Sequence, residues 1–329
     1  MITAVIVNHK TSGFLPGLIQ SLRREGLEDI LVCDSYSTPE ERDAAGRLDG
    51  VRKLLFNDNP GYGASLNRGC REAGEEYLLL MNADVEVTSG SISLLKEALT
   101  DFDAVGPNFF WEREKKFLLP HPLRHSWKNE LLQLTQPDMF LKKYLAHEWQ
   151  IWEGQDPCPV DLLSGAAFMI RRSVFERLGG FDEGFFLYYE ENDFFHRLVD
   201  MGMTAAAVPR SHFLHFHAPG RTPESDWFFR ASKDYFEKKY FPSSYLQLRP
   251  NLQSQPVQFP APVPLPSGGI ARKGRHLLYS LFPHFIPAAC VRDDADPADP
   301  HAIVDRLPLK TGFLALCSGH DIVETYSID

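Results

Sequence analysis

Residues 78–87 read LLLMNADVEV, an apolar run that breaks at Asn82 and Asp84 and resumes on either side of Glu86. A strand core gains nothing from an amide and a carboxylate, so the pair marks where the strand leaves the interior. Asn and Asp serve tight turns at such points, and a turn alone accounts for them. The carboxyl ends of strands in an open α/β sheet are also where ligands bind. The surrounding pattern decides between the two.

Working outward, apolar runs at Ile2–Val7, Ile30–Cys33, Val51–Phe56 and Tyr77–Met81 read as strands. Helical spacing covers 14–26, closed by a C-cap at Gly26, then Ser65–Glu75 and Ser91–Leu99, and a fifth strand begins at Ala104–Val105. These strands are too apolar for a half-exposed sheet. Their alternation with helices predicts an α/β fold, a mostly parallel central sheet with helices on both faces. After 106 the pattern changes. Residues 109–156 are rich in Trp, Phe, His, Lys and Glu, with helical stretches NELLQLTQ and MFLKKYLAHEWQIW. A strand at Val160–Ile170, helices at Ser173–Leu178 and Glu190–Met201, and a short strand at Ala205–Val208 follow. The run QPVQFPAPVPLPS, 255–267, reads as a proline-rich linker unable to form helix or sheet. The expected organisation is a domain over 1–250 with halves 1–106 and 107–250, a linker at 251–269, and an extension over 270–329.

The 329 residues carry a net charge of −10, without the basic footprint of a nucleic-acid binder. Five scattered cysteines with no CxxC pair fit neither a disulfide framework nor a zinc site, and suggest a reducing compartment. The opening MITAVIVNHK enters a strand at once rather than a leader, and no apolar run reaches spanning length. The expected location is cytoplasmic, at the inner face of the membrane if the protein works at one.

Three further stretches carry side chains suited to chemistry. In NDNPGYGASLNRGC, 57–70, glycines flank an aromatic before a helix, which suits close approach to phosphate or simply a tight turn. In GGFDEGFFLYYEENDFFHRL, 179–198, Glu190, Asp193 and Arg197 fall near one helical face and Glu191 points elsewhere. Acids in a first turn complement the helix dipole, but the aromatic lead-in would also raise a carboxyl pKa and suit a general base. In HFLHFHAPG, 212–220, His215 and His217 share a strand face with ligand-type nitrogens; surface histidines are the plain alternative. Asp84 alone would serve a divalent ion or a turn.

In this order the stretches resemble the inverting glycosyltransferases of family 2, with the GT-A fold, and most closely their rhamnosyltransferase-like branch. The matching blocks are AVIVNHK, LVCDSYS, NPGYGASLNRG, LLLMNADVEV, SGAAFMIRRSVFERLGGFDEGFFLYYEENDFFHR and HFHAPG, together spanning roughly 1–220. The resemblance implies a nucleotide-sugar donor held by Asn8, Asp34, Asn59, Gly61, Tyr62, Gly63, Asn67 and Asn82, with Asp34 accepting from a pyrimidine imide. It implies Mg²⁺ or Mn²⁺ on Asp84, completed by His215 or His217, and a catalytic carboxylate at Glu191 with Glu190 beside it and Asp193 next. The implied donor is dTDP-rhamnose, with a UDP-hexose second, and the implied acceptor a glycan or lipid-linked saccharide of a cell-surface polysaccharide. Three departures from the pattern stand out: Ser35-Tyr36 for the usual Asn-Ala, Glu191 for Asp, and Ala83 for Pro. Two other classes stay open: a degenerate scaffold, which would have lost Asp84 or the glutamate pair, and a sugar nucleotidyltransferase, whose glycine cluster AVIVNHKTSG lacks. A Rossmann dehydrogenase would need GxGxxG after the first strand. Trp111, Trp127, Trp149 and Trp152 are candidates for stacking on an acceptor, or plain core. The segment HLLYSLFPHFIP is a candidate interfacial anchor, and the tail could serve self-association.

Overall fold

The computed structural model describes residues 1–216, 223–254, 263–264, 276–280, 288–291, 312–318 and 321–328. In chain order the elements are β1 (Ile2–Asn8), α1 (Leu15–Arg24), β2 (Asp29–Asp34), α2 (Pro39–Gly46), β3 (Arg52–Leu55), α3 (Tyr62–Glu72), β4 (Tyr77–Asn82), β5 (Val85–Val87), α4 (Ser91–Ala98), β6 (Ala104–Phe110) and β7 (Phe117–Leu118). Then come α5 (Trp127–Thr135), α6 (Pro137–Trp152), β8 (Cys158–Val160), β9 (Ala167–Arg171), α7 (Arg172–Arg177), α8 (Glu190–Asp200), β10 (Ala205–His215), α9 (Pro223–Tyr240) and α10 (Ser243–Gln253). The last are β11 (Val263–Pro264), β12 (His276–Ser280), β13 (Ala289–Val291), β14 (Gly312–Ser318) and β15 (Asp321–Ile328). The chain forms two compact units: Met1–Asn108 with Pro122–Arg124 and Gln155–Phe241, and Phe109–His121 with His125–Gly154 and Pro242–Asp329.

The first unit is built on the order β3-β2-β1-β4-β9-β6. β1 is parallel to β2 and to β4, with Val5 opposite Leu31 on one side and Leu80 on the other. From β1 the chain runs outward through β2 and β3, then returns to β4 on the other side of β1. That reversal opens a crevice at the carboxyl ends of β1 and β4, where open sheets bind ligands. α1 lays Leu15, Leu18, Ile19 and Leu22 on the sheet, and Gly26 stops it at φ +79°. α3 lies closer still: a Cβ on Gly69 would stand 2.5 Å from Val5 Cγ1 and 2.7 Å from Cys33 Sγ. Under β9, α7 and α8, Phe168, Phe175, Phe181, Phe194 and Phe195 form one aromatic core, with Phe181 and Phe194 centroids 4.8 Å apart. Trp227, Tyr235 and Phe236 lie on α9 in this unit.

In the second unit α6 buries Phe140, Tyr144, Leu145, Trp149, Ile151 and Trp152. Its strands run β11-β15-β14-β12-β13-β7.

Several expectations are corrected. Within the mostly parallel sheet one strand is reversed: β9 runs antiparallel to both β4 and β6 and lies between them, so the strand starting at Ala104 does not pair with β4. Val160–Ile170 is two strands, β8 and β9, separated by a turn. β3 is an edge strand with no fully buried residue. Val263–Pro264, inside the proline-rich run, pairs with Tyr326 and Ser327; proline is tolerated on an edge, where no ladder donor is needed. Within HLLYSLFPHFIP, His276–Ser280 is a strand paired with β13 and β14, so those residues form no amphipathic anchor helix. The rest of that segment lies outside the described residues. Trp149 and Trp152 are core, packed edge to face at 5.0 Å, which removes both from the acceptor candidates. Trp111 and Trp127 are half-buried.

Candidate active site

At the carboxyl ends of β1 and β2, Asn8 Nδ2 donates to Asp34 Oδ2 at 2.7 Å. Asp34 Oδ1 accepts the Ser37 amide at 3.0 Å, and Asn8 Oδ1 accepts Thr11 Oγ1 at 2.9 Å. Both side chains are fully buried. The structure therefore brings Asn8 and Asp34 together but engages both carboxylate oxygens inside the protein. Asp34 holds the 34–37 turn, whose one exposed residue is Tyr36. Asn59 extends the frame: its Oδ1 accepts Ser35 Oγ at 2.8 Å and the Gly61 amide at 3.1 Å.

Gly61 begins the next loop at φ +92°, a left-handed value natural to glycine, and a Cβ there would sit 2.3 Å from the Phe186 carbonyl oxygen. The Tyr62 amide donates to that same carbonyl at 2.9 Å. Gly63 packs against Phe181 and Glu190, where a Cβ would meet their Cβ atoms at 3.0 and 3.4 Å. Asn67 spends its whole amide on the 181–183 segment: Nδ2 donates to the Phe181 carbonyl and to Glu183 Oε1, and Oδ1 accepts the Phe181 amide, all at 2.9 Å. Its contribution to a donor pocket is thus through the position of that segment.

Asn82 ends β4 opposite Val7, its amide donating to the Ala166 carbonyl at 2.8 Å. Asp84 follows and is buried. β5 pairs antiparallel with β10, placing Val85 opposite His215. The Phe216 amide donates to the Asp84 carbonyl at 3.0 Å, and His215 Nε2 lies 3.5 Å from Asp84 Oδ1. A carboxylate oxygen and an imidazole nitrogen that close can share one divalent cation, and an oxygen-rich set with a single nitrogen suits Mg²⁺ or Mn²⁺ with waters and phosphate oxygens as the remainder. His217 lies outside the described residues. His212 points elsewhere, with Nε2 3.1 Å from the Pro209 carbonyl.

Two consecutive tyrosines, Tyr188 at φ +69° and Tyr189 at +67°, lead into α8. Left-handed backbone at a bulky residue costs about 1–3 kcal/mol each and persists where the surroundings dictate it, most often at functional sites. They deliver Glu190 and Glu191 to the helix start. Glu190 is 4% exposed and its Oε2 makes no hydrogen bond. Burial, then the charge of Glu191, pushes its carboxyl well above the usual range. Glu191 is half-buried and is raised by desolvation. A Cβ on Gly165 would stand 3.6 Å from Glu191 Cβ, and Tyr62 Oη donates to the Gly165 carbonyl at 2.6 Å. Burial raises the Tyr62 phenol, and the charges of Glu190, Glu191 and Asp84 add to that, so the four side chains converge.

Asp193 is not part of that convergence. It is completely buried, with Oδ2 accepting Arg197 Nε at 2.8 Å and Oδ1 accepting Lys239 Nζ and Tyr240 Oη, both at 2.6 Å. Arg197 goes on to the Leu178 and Gly180 carbonyls. Asp193 is an anchor between α8, α9 and the 178–180 turn rather than a catalytic carboxylate. Sequence reasoning missed Lys239 and Tyr240, which carry no motif, and Gly165, whose signal lay in the SGAA block.

A family profile described as "Glycosyl transferase family 2" matches residues 3–179, more than half of the chain. The chain belongs to glycosyl transferase family 2. A second profile, "N-terminal domain of galactosyltransferase", matches residues 156–219. Over 228 residues the chain is 29% identical to N-acetylglucosaminyl-diphospho-decaprenol L-rhamnosyltransferase of Mycobacterium tuberculosis (strain CDC 1551 / Oshkosh), covering 62% of this chain and 72% of that one. Over 232 residues it is 33% identical to rhamnosyltransferase WbbL of Escherichia coli (strain K12), covering 66% of this chain and 83% of the relative. Among solved structures, that of GalNAc-T7 with UDP, GalNAc and Mn²⁺ superposes with a TM-score of 0.51 at 17% identity, covering 79% of this chain and 52% of that one, a likeness of fold. The family 2 transferase is therefore an enzyme of the GT-A fold, rhamnosyltransferase-like, using a nucleotide-sugar donor. No helix among the described residues is long and apolar enough to cross a membrane.

Proposed function

We propose that this transferase moves a sugar, rhamnose from dTDP-rhamnose first and a hexose from a UDP-hexose second, to a hydroxyl of a glycan or lipid-linked saccharide in cell-surface polysaccharide synthesis, inverting the anomeric centre. The observation that carries this is the 3.5 Å approach of His215 Nε2 to Asp84 Oδ1 just past the end of β4, with Glu190 packed on Gly63 and Glu191 on Gly165, whose carbonyl accepts Tyr62 Oη. The names of the rhamnosyltransferase relatives support the donor, and the decaprenol-linked substrate in one of those names supports a lipid-linked acceptor.

In this reading the Asn59–Asn67 loop and the 34–37 turn hold the nucleoside diphosphate, and Asn82 lies beside it. Asp84 and His215 would hold Mg²⁺ or Mn²⁺, which when bound supplies Lewis-acid stabilisation of the leaving diphosphate. Glu191 takes the proton of the acceptor hydroxyl as that oxygen bonds to the anomeric carbon from the face opposite the diphosphate. The geometry of displacement is that of an inverting glycosidase with a sugar hydroxyl in place of water. Glu190, more deeply buried, keeps its proton and leaves the negative charge of the pair to Glu191.

The test is transfer from dTDP-rhamnose to N-acetylglucosaminyl-diphospho-polyprenol with Mn²⁺ or Mg²⁺, followed by the anomeric configuration of the product. An inverted rhamnoside is expected. A retained configuration, or no transfer from dTDP-rhamnose or any UDP-hexose, would overturn the reading.

A further inference from the structure

The 34–37 turn holds a left-handed residue, Tyr36, that the transfer step does not use. Tyr36 sits at φ +55° and is 54% exposed, between two serines whose amides and hydroxyls are bonded inside the protein. The Ser35 amide donates to the Asn8 carbonyl at 2.8 Å, Ser35 Oγ to Asn59, the Ser37 amide to Asp34, and Ser37 Oγ accepts the Lys10 amide at 2.9 Å. Ser65 Oγ donates to Ser35 Oγ at 3.1 Å. The turn is fixed from both sides, so the strained backbone at Tyr36 is imposed, and its effect is to hold an aromatic ring out in solvent. Left-handed φ at a bulky residue is rare, and an exposed aromatic ring gains nothing from hydration.

The place of that ring gives it a use. Tyr36 follows the carboxyl end of β2, next to β1. In a doubly wound sheet the phosphates of a nucleotide lie at the crevice and the nucleoside extends over the end of the second strand. Asp34, the side chain expected to meet the base there, has both oxygens engaged by Asn8 and Ser37. Among the described residues the Tyr36 ring has no aromatic or cationic partner within stacking range. We infer that Tyr36 is the stacking surface for the nucleobase of the donor, held ready by the Asn8–Asp34–Ser37 network. This rests on the reading of the crevice as a nucleotide-sugar site. A tyrosine face binds any base, so it supplies affinity and orientation, and the edges of the base are left to backbone groups of the turn.

The test uses the full chain and three probes with Mn²⁺: dTDP, UDP and inorganic pyrophosphate, with affinities from calorimetric titration. Tyr36→Ala is expected to weaken whichever nucleoside diphosphate the wild type binds by about 5- to 100-fold, the range of one lost stacking contact. Tyr36→Phe keeps the face and should stay within about twofold, and pyrophosphate, which has no base, should bind all three proteins alike. Tyr36→Gly removes the ring while relaxing the backbone, so it should lose nucleotide affinity without losing thermal stability. If Tyr36→Ala binds the nucleotide as the wild type does, or loses pyrophosphate as severely, the inference is wrong while the site reading stands. If the wild type binds neither nucleotide, the site reading fails and the inference with it.

Discussion

Asn67 and Phe181 grip each other through two hydrogen bonds across 114 residues of chain, the amide of each donating to the carbonyl of the other at 2.9 Å. One residue lies in the glycine-rich loop and its helix, the other in the segment that delivers the glutamate pair. The glycine-rich loop and the segment leading to the glutamates are thereby fixed to one another inside a single unit, which in the proposed reading ties the donor side to the catalytic side.

Asn67→Ala should therefore act on chemistry more than on binding. It leaves a buried N–H and C=O at Phe181 without partners, at about 1–3 kcal/mol each. Urea unfolding should show a loss of roughly 2–4 kcal/mol, and kcat should fall while the donor Kd moves little. A variant with unchanged kcat would mean the clamp does not position Glu191.

The two glutamates should separate in pH behaviour. Glu190 is raised well above its ordinary value of 4.5 by burial and by Glu191. The folded state then holds a proton that the unfolded chain has lost, so stability is fullest in acid and declines as pH rises from about 4.5 through the raised pKa. Glu190→Gln should match the wild type in acid and exceed its Tm increasingly toward alkaline pH. Glu191→Gln should retain donor affinity and lose turnover by about 10² to 10⁴. For the wild type, kcat/KM should fall on the acid side at a pH above the ordinary carboxylate range, since Glu191 too is raised by desolvation. If Glu190→Gln is the inactive protein, the roles are reversed.

Asp193 should behave as an anchor. Removing the buried carboxylate strands Arg197, Lys239 and Tyr240. Asp193→Ala should lose about 3–5 kcal/mol in denaturant unfolding, the usual cost of breaking a buried pair. Asp193→Asn should lose less and retain kcat within a few-fold. A stable Asp193→Asn protein without turnover would return Asp193 to the catalytic machinery.

Much of this was legible in the chain. The helical face shared by Glu190, Asp193 and Arg197 is real, and Asp193–Arg197 bond at 2.8 Å along it. What the face could not show is that Lys239 and Tyr240 cover it, because α9 carries no motif and they lie 46 and 47 residues from Asp193 in sequence. The aromatic lead-in to Glu190 signalled a desolvated carboxyl, and Glu190 is buried, as are Phe181, Phe185 and Phe194 on either side of it in sequence. The reversed direction of β9 was not readable, since a buried strand has the same apolar pattern either way up. α3 starts at Tyr62 rather than near Ser65 because Gly61, left-handed against Phe186, sets the start by close approach rather than by apolar spacing.

The most direct test of the central claim is calorimetric titration of dTDP-rhamnose, with and without Mn²⁺, into the wild type and Asp84→Ala. Mn²⁺-dependent binding is expected in the wild type and is lost in Asp84→Ala, whose thermal unfolding in the absence of ligand is unchanged. Equal binding by both proteins, or binding by the wild type that ignores the metal, would contradict the assignment of Asp84 and His215 as the cation site.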